Sequence, residues 1–362
     1  MDLGLKIRAH LSLVLAATQV AGCAGLGYYA HLANGQMDLL ARRERIDWIV
    51  EDSRRDADLR RRLALVLDAR HFAIETLRLP DNGSYTLYAD IGRPYVVWNV
   101  FATPEFSLQA IESCFPLAGC LAYRGYYDKA KAQQQADLLR QKGYDVDVGG
   151  VPAYSTLGWF DDPVLSTMLR WSDANLVGTV FHELGHQRVF VKGDTTFNES
   201  YARFVEQQGL REFFAAGRIA AVGSETERER EGQFVALVIA TRRKLDEIYS
   251  LPLSPEAMRE QKALAFTQLR RDYEALRDGR WNGDRDYDGW FARDLNNATL
   301  LPVGLYDEWV PAFSALFAQS GRDWTRFHSA CAELGRLDTV LRKQRLAELQ
   351  ASAAAPPPAA SP

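Results

Sequence analysis

Apolar residues recur at helical spacing over most of this 362-residue chain and alternate or cluster only in a middle stretch. Residues 28–42 are periodic. So are residues 57–77, where Leu59, Leu63, Leu65, Leu67 and Phe72 stand among basic residues, and both stretches predict helices. Pro80-Asp81-Asn82-Gly83 predicts a turn. Strand-like runs rich in Tyr, Val and Trp follow at 84–89 and 95–101, with a third at 121–127. Residues 128–142 predict a helix capped by Asp128 and ended by Gly143. Residues 146–160 read as extended, broken by Gly149, Gly150 and Pro152. Helices are predicted at 173–191, from about 198 to 216, at 225–249 and at 255–277, the last opened by Ser254-Pro255. The charge run 225–231 reads as a solvated helix face. A Gly- and Asp-rich loop occupies 279–290, and one or two helices close the chain near Leu349. This order predicts an α+β, helix-rich fold: a small mixed sheet before about residue 165, then a helical part, forming one structural unit with a cleft between them.

The ends of the chain depart from this pattern. Lys6 and Arg8 precede an apolar run from Leu11 to Ala17. That run is shorter than the roughly 20 residues a membrane-spanning helix needs, and it fits the core of a secretory signal. It ends in Val20-Ala21-Gly22-Cys23, which resembles the bacterial lipobox. The resemblance implies a signal peptide over 1–22, cleavage after Gly22 and a lipid on Cys23, so that the mature protein is held at a membrane surface without spanning it. Ala24 is not the Asp that retains such proteins at the inner membrane, which favours the outer membrane facing the periplasm. An uncleaved anchor or a buried first helix is the alternative. The last residues, 351–362, are an Ala- and Pro-rich tail expected to be disordered, which leaves 23–350 as the folded domain.

Composition narrows the function only by exclusion. Hydrophobic residues make up 47% and charged residues 25%, as in soluble globular chains. Lys plus Arg number 43 and Asp plus Glu 47, a net charge of -4, which argues against a nucleic-acid partner. Four cysteines are too few for a disulfide scaffold. In an oxidising compartment Cys114 and Cys120, around Phe115-Pro116-Leu117-Ala118-Gly119, are the expected local disulfide. Two small buried hydrophobes are the alternative, and Cys331 reads as buried.

The chemistry is concentrated in His182-Glu183-Leu184-Gly185-His186, an H-E-x-x-H motif within a helical pattern. Residues four apart on a helix lie about 40° apart around its axis, so both imidazoles share a face and suit one metal ion. Glu183 sits beside that face, poorly placed to ligate but suited to act as a general base toward the metal's water. Zinc suits two His and a carboxylate. With six His in the chain, a chance H-E-x-x-H is rare. Glu199, thirteen positions after His186 within Phe197-Asn198-Glu199-Ser200-Tyr201-Ala202, is the preferred third ligand. The turn-rich Val191-Lys192-Gly193-Asp194-Thr195-Thr196 lets the next helix fold back. Glu206, two turns further along the same face, competes with Glu199.

These residues resemble the gluzincin type of zinc metallopeptidase, in which the Glu of an Asn-Glu pair is the third ligand. More closely, residues from about 28 to about 340 resemble a family of bacterial lipoproteins called predicted aminopeptidases. Besides the zinc motifs, the resemblance rests on Arg70-His71-Phe72-Ala73, Ser84-Tyr85, Tyr123-Arg124-Gly125-Tyr126-Tyr127 and the stretch from Ala153-Tyr154-Ser155 to Asp161-Asp162-Pro163. It implies a zincin-like core, one Zn2+ per chain and a peptide substrate. Glu183 would take a proton from the attacking water and return one to the leaving amine. Tyr154, Tyr306 and His328 are candidates for the donor facing the developing oxyanion. Arg203, one turn after Glu199, is placed to pair with Glu199 or reach substrate. Asp194 is a candidate to orient a ligating His. Residues 154–160 suit an edge along which a peptide lies, with Asp161 or Asp162 to receive a free α-amine, or else to serve only as a turn and helix cap. A zinc-containing lipoprotein acting mainly as a binding or assembly factor is the alternative function.

Overall fold

The computed structural model describes residues 27–115, 119–153, 156, 160–219 and 224–354, with the backbone alone at 224, 225, 227, 228, 304–306, 353 and 354. The expected signal peptide, Cys23, Tyr154 and the Tyr306 side chain lie outside the described residues. The molecule is helix-rich α+β, with small sheets confined to the first half. Among the described residues no helix is long and apolar enough to cross a membrane.

Two three-stranded sheets and a hairpin form the β part. In the first, β2 (Leu87–Ala89) lies between β1 (Arg43–Arg45), antiparallel to it, and β8 (Val164–Leu165), parallel to it. In the second, β3 (Val97–Thr103) is central, with β6 (Tyr123–Tyr126) and β7 (Asp145–Val151) antiparallel on either side. Trp98, Val100 and Ala102 of β3 bury one face of this sheet against Ala132 and Ala136 of α4 (Lys129–Gln141). Asp128 caps α4 through the Ala130 and Lys131 amides, and Gly143 follows it with φ 81°, a conformation that favours Gly. The hairpin β4 (Ser113–Phe115) and β5 (Gly119–Leu121) sets Cys114 opposite Cys120, and their sulfurs are bonded. The sequence reading takes Gly149 and Gly150 as breaks, but β7 pairs with β3 through both and ends at Val151, just before Pro152.

The main core is organised around α5 (Asp173–Arg188). Leu176, Val177, Val180, Phe181 and Leu184 are fully buried. α1 (27–41) and α2 (Ile46–Glu51) precede α3 (Ala57–Glu75), and α5 packs against α3 and α6 (Thr195–Ala215). A second core joins α7 (Ser224–Tyr249) to α8 (Pro255–Asp278) through Phe234, Val238, Leu269 and Tyr273, and Trp281 and Phe291 of the following loop pack into it. That loop contains one short helix, α9 (Asp288–Phe291).

The C-terminal part differs from the sequence expectation. Four helices close the chain instead of one or two: α10 (Leu301–Asp307), α11 (Val310–Gln319), α12 (Trp324–Arg336) and α13 (Thr339–Ala354). Prolines open α10 and α11 and Asp323 caps α12, so periodicity runs almost unbroken through very short connections. α13 also continues through residues 351–354, because Ala-Ser-Ala-Ala favours helix until Pro356. The expected tail therefore starts later, and 355–362 lie outside the described residues.

His328, a donor candidate from the sequence, belongs to this core, where both ring nitrogens are engaged. Its Nε2 donates to the Leu77 carbonyl at 2.8 Å, so Nδ1 accepts from the Tyr201 hydroxyl, also at 2.8 Å. Burial lowers its pKa to about 4, although the Leu77 carbonyl favours the charged form. Unfolded, the ring takes up a proton near pH 6.5. The unfolded chain therefore binds more protons between pH 6.5 and 4, and acidification across that window costs about 3 kcal/mol of stability. Denaturant midpoints measured against pH should fall across this window, and His328→Gln should flatten the slope.

Candidate active site

The sequence builds the site at the crossing of α5 and α6. Ser172 caps α5 through the Asn175 amide, and Asp173 lies in the first turn. α5 ends at Arg188, and Gly193 turns the chain with φ 79°. Asp194 caps α6 by accepting from the Phe197 amide, so α6 begins three residues earlier than its apolar pattern indicates. Asn198 then clamps the turn. Its Oδ1 accepts from the Val191 amide at 2.7 Å and its Nδ2 donates to the Val191 carbonyl at 2.8 Å. This fixes the first turn of α6, and with it Glu199. The helices approach closely where glycine stands in place of a side chain: a Cβ at Gly178 of α5 would lie 3.0 Å from Leu210, and one at Gly209 of α6 would lie 2.9 Å from Phe181.

Three donor atoms converge at the crossing. His182 Nε2 lies 3.2 Å from His186 Nε2 and 3.3 Å from Glu199 Oε2, and His186 Nε2 lies 3.4 Å from the same oxygen. All three residues are buried. Glu206 holds the other side of His182, its Oε2 3.2 Å from Nδ1. A carboxylate only accepts, so Nδ1 carries the proton and the neutral ring directs its Nε2 lone pair toward Glu199 and His186. Electron pairs facing one another at this range call for a proton or a metal cation between them. Ligands about 2.0–2.1 Å from a tetrahedral ion lie about 3.3–3.4 Å apart, which is the spacing found. The residues present therefore fit a small tetrahedral metal ion. A second group with ligand-like spacing, Glu112, Cys114 and Cys120, has its sulfurs committed to the disulfide.

The electrostatics of the pocket agree with this geometry. Burial opposes charge on His182, but Glu199 and Glu206 outweigh it and favour positive charge at the ring, which either a second proton on Nε2 or a metal ion in its place supplies. Burial likewise opposes charge on Glu199, but the two imidazoles keep it ionised well below the usual range. Burial raises the pKa of Glu183, more than His182 and His186 lower it. Only 8% exposed, Glu183 makes no hydrogen bond among the described residues. Such a carboxylate is primed to accept a proton.

Glu206 competes with Glu199 for the ligand role in the sequence, but in the structure it orients His182 from behind and also accepts from Arg203 at 2.7 Å. Glu206→Gln is expected to weaken metal binding about 10- to 100-fold, read by competition with a fluorescent chelator.

Glu183 and His182 open onto a cavity of about 370 Å3. Val151, Pro152 and Ala153, at the end of edge strand β7, form part of its wall, with Arg203 and Asp307 also lining it. A buried H-E-x-x-H pair, a carboxylate from the next helix and an adjoining cavity are thus in place. The family model described as "Putative aminopeptidase" matches residues 27–346. The chain belongs to this family. The family's name points to peptide hydrolysis. Neither the curated proteins nor the solved structures give a match.

Several residues singled out from sequence occupy other positions. Arg203 pairs with Glu206, Glu231 and Asp307 and not with Glu199, because its side chain points along α6 toward α7 and α10. Asp194 does not reach either His; it caps α6 and binds Arg342 at 2.8 Å. Asp162 is buried and already engaged: its Oδ2 accepts from the Thr156 amide at 2.9 Å and from Gln187 at 3.4 Å. Asp161 is exposed, with its carboxylate against Gly83.

Sequence reasoning missed Gln187, Glu231 and Asp307. Gln187 ties the motif helix to Ser84, Asn82 and Asp162. Its position directly after His186 was the available signal. Glu231 lies in a charge run that reads as solvent-facing, and Asp307 had no local signal at all.

Proposed function

We propose that the chain is a zinc-dependent peptidase of the gluzincin type, an aminopeptidase held by a lipid on Cys23 at the bacterial outer membrane and facing the periplasm. One observation carries the reading: three donor atoms spaced for a tetrahedral ion, beside a buried carboxylate that has no hydrogen-bond partner among the described residues and lines a cavity. His182, His186 and Glu199 would hold the ion. Zinc bound there supplies a Lewis acid that polarises a carbonyl and acidifies water toward neutrality.

The chain's own residues do the rest. Glu183 accepts the proton of the attacking water at its carboxylate and delivers it to the leaving amine. Glu206 keeps His182 in the tautomer that leaves Nε2 unprotonated. Asn198 holds Glu199 in register. α5 and α6, with the β6-β3-β7 sheet bordering the cavity, correspond to a zincin-like core. Val20-Ala21-Gly22-Cys23 supports the anchor, and the mass of the N-terminal peptide from membrane-extracted protein tests it.

The test of activity is a mixed-sequence peptide pool treated with the zinc-loaded full chain and read by mass spectrometry. Ladders lacking N-terminal residues are the expected products. Internal cuts would keep the hydrolytic reading and reject the exopeptidase label. No cleavage by protein carrying one zinc per chain would reject the peptidase reading in favour of a binding or assembly role.

A further inference from the structure

We propose that the cavity beside Glu183 selects substrates by a positively charged group, an ammonium or guanidinium, received by Asp307 and Glu231. This rests on the peptidase reading and names the substrate class of the same site.

The charge balance of the cavity wall carries the argument. Among the described lining residues Arg203 is the one Lys or Arg side chain, and it faces three carboxylates. It donates to Glu206 at 2.7 Å, pairs with Glu231, and approaches Asp307 only to 3.6 Å. Three acids against one guanidinium leave an excess of two negative charges, and Glu206 is further engaged by His182. Asp307 is 15% exposed and meets Arg203 only in a long contact of 3.6 Å. Burial raises its pKa to about 6 despite Arg203, so its charged form lacks a sufficient counter-ion. Buried acids in that condition are stabilised by a second cation.

An acidic patch alone would not mark a binding site. Here the same cavity also contains Glu183, more than nine-tenths buried, without a hydrogen-bond partner among the described residues and lining the space. The remaining wall is largely apolar, with Trp171, Phe234, Val235 and Tyr287. Such a wall suits the hydrocarbon around a charged tip. Asp307 and Glu231 belong to α10 and α7, whereas the metal-binding group and Glu183 belong to α5 and α6. Selection and chemistry thus reside on different elements.

Two parts of a peptide present this chemistry: the N-terminal α-ammonium, and a Lys or Arg side chain at the scissile residue. Four peptides separate them, identical except for a free or acetylated N-terminus and Lys or norleucine at that residue. The zinc-loaded full chain should prefer the charged member at one of the two positions by about tenfold in kcat/KM. Asp307→Asn, Glu231→Gln or both should reduce that preference at least fivefold, with one zinc per chain retained. The position whose preference collapses identifies the source. A wild-type preference below threefold at both positions, or a preference unchanged in both variants, overturns the proposal. If the wild type cleaves none of the four, the peptidase reading fails, and calorimetric binding of the same peptides still decides the inference. Tighter binding of the charged members, lost in the variants, supports it; equal binding rejects it.

Discussion

Replacing Glu183 with Gln is expected to lower kcat/KM about 10²- to 10⁴-fold while zinc content stays at one per chain. The substitution keeps the size and shape of the side chain and removes only the site of proton uptake. Glu183 makes no hydrogen bond among the described residues, so no structural contact is lost. Burial already disfavours its charge, so a neutral amide there should leave the melting temperature unchanged or raise it. A structural role would give the opposite pattern, with stability and activity falling together. Steady-state kinetics and thermal melting of the same zinc-loaded preparations separate these outcomes.

Glu199→Ala is expected to remove stoichiometric zinc and, with it, activity. The loss of affinity should exceed the roughly 10- to 100-fold expected when an outer partner of a ligand is removed. The comparison with Glu206 is direct, because the two carboxylates grip opposite nitrogens of the same ring. If Glu199 is the ligand, zinc affinity should fall further in Glu199→Ala than in Glu206→Ala; the reverse order would assign the ligand role to Glu206. Zinc should also raise the melting temperature of the wild type, since an ion that binds only the folded state at about 100 times its Kd adds roughly 2.7 kcal/mol. Glu199→Ala should lose that shift.

Much of this site is legible in the sequence because its geometry is local. His182 and His186 share a face through helical spacing alone, and the Val191–Thr196 connection is short enough to return Glu199 to them. The helices opened by Asp128 and by Ser254-Pro255 follow from their caps. The limits have physical causes as well. Choosing between Glu199 and Glu206 requires knowing where α6 crosses α5, which contacts through space at Gly178 and Gly209 help to determine. Arg203 finds partners from α7 and α10, far along the chain, so its own helix gives no sign of them. Asp162 reads as an available acid, yet the fold engages it with Thr156 and Gln187. His328 reads as a donor for catalysis, yet Tyr201 and the Leu77 carbonyl hold it in the core.

The most direct measurement is anomalous diffraction at the zinc edge from crystals of the zinc-loaded protein. A single peak is expected within about 2.0–2.2 Å of His182 Nε2, His186 Nε2 and a Glu199 carboxylate oxygen, with Glu206 still on His182 Nδ1. No peak between those atoms under saturating zinc, or a peak bound to Glu206 in place of Glu199, would contradict the account.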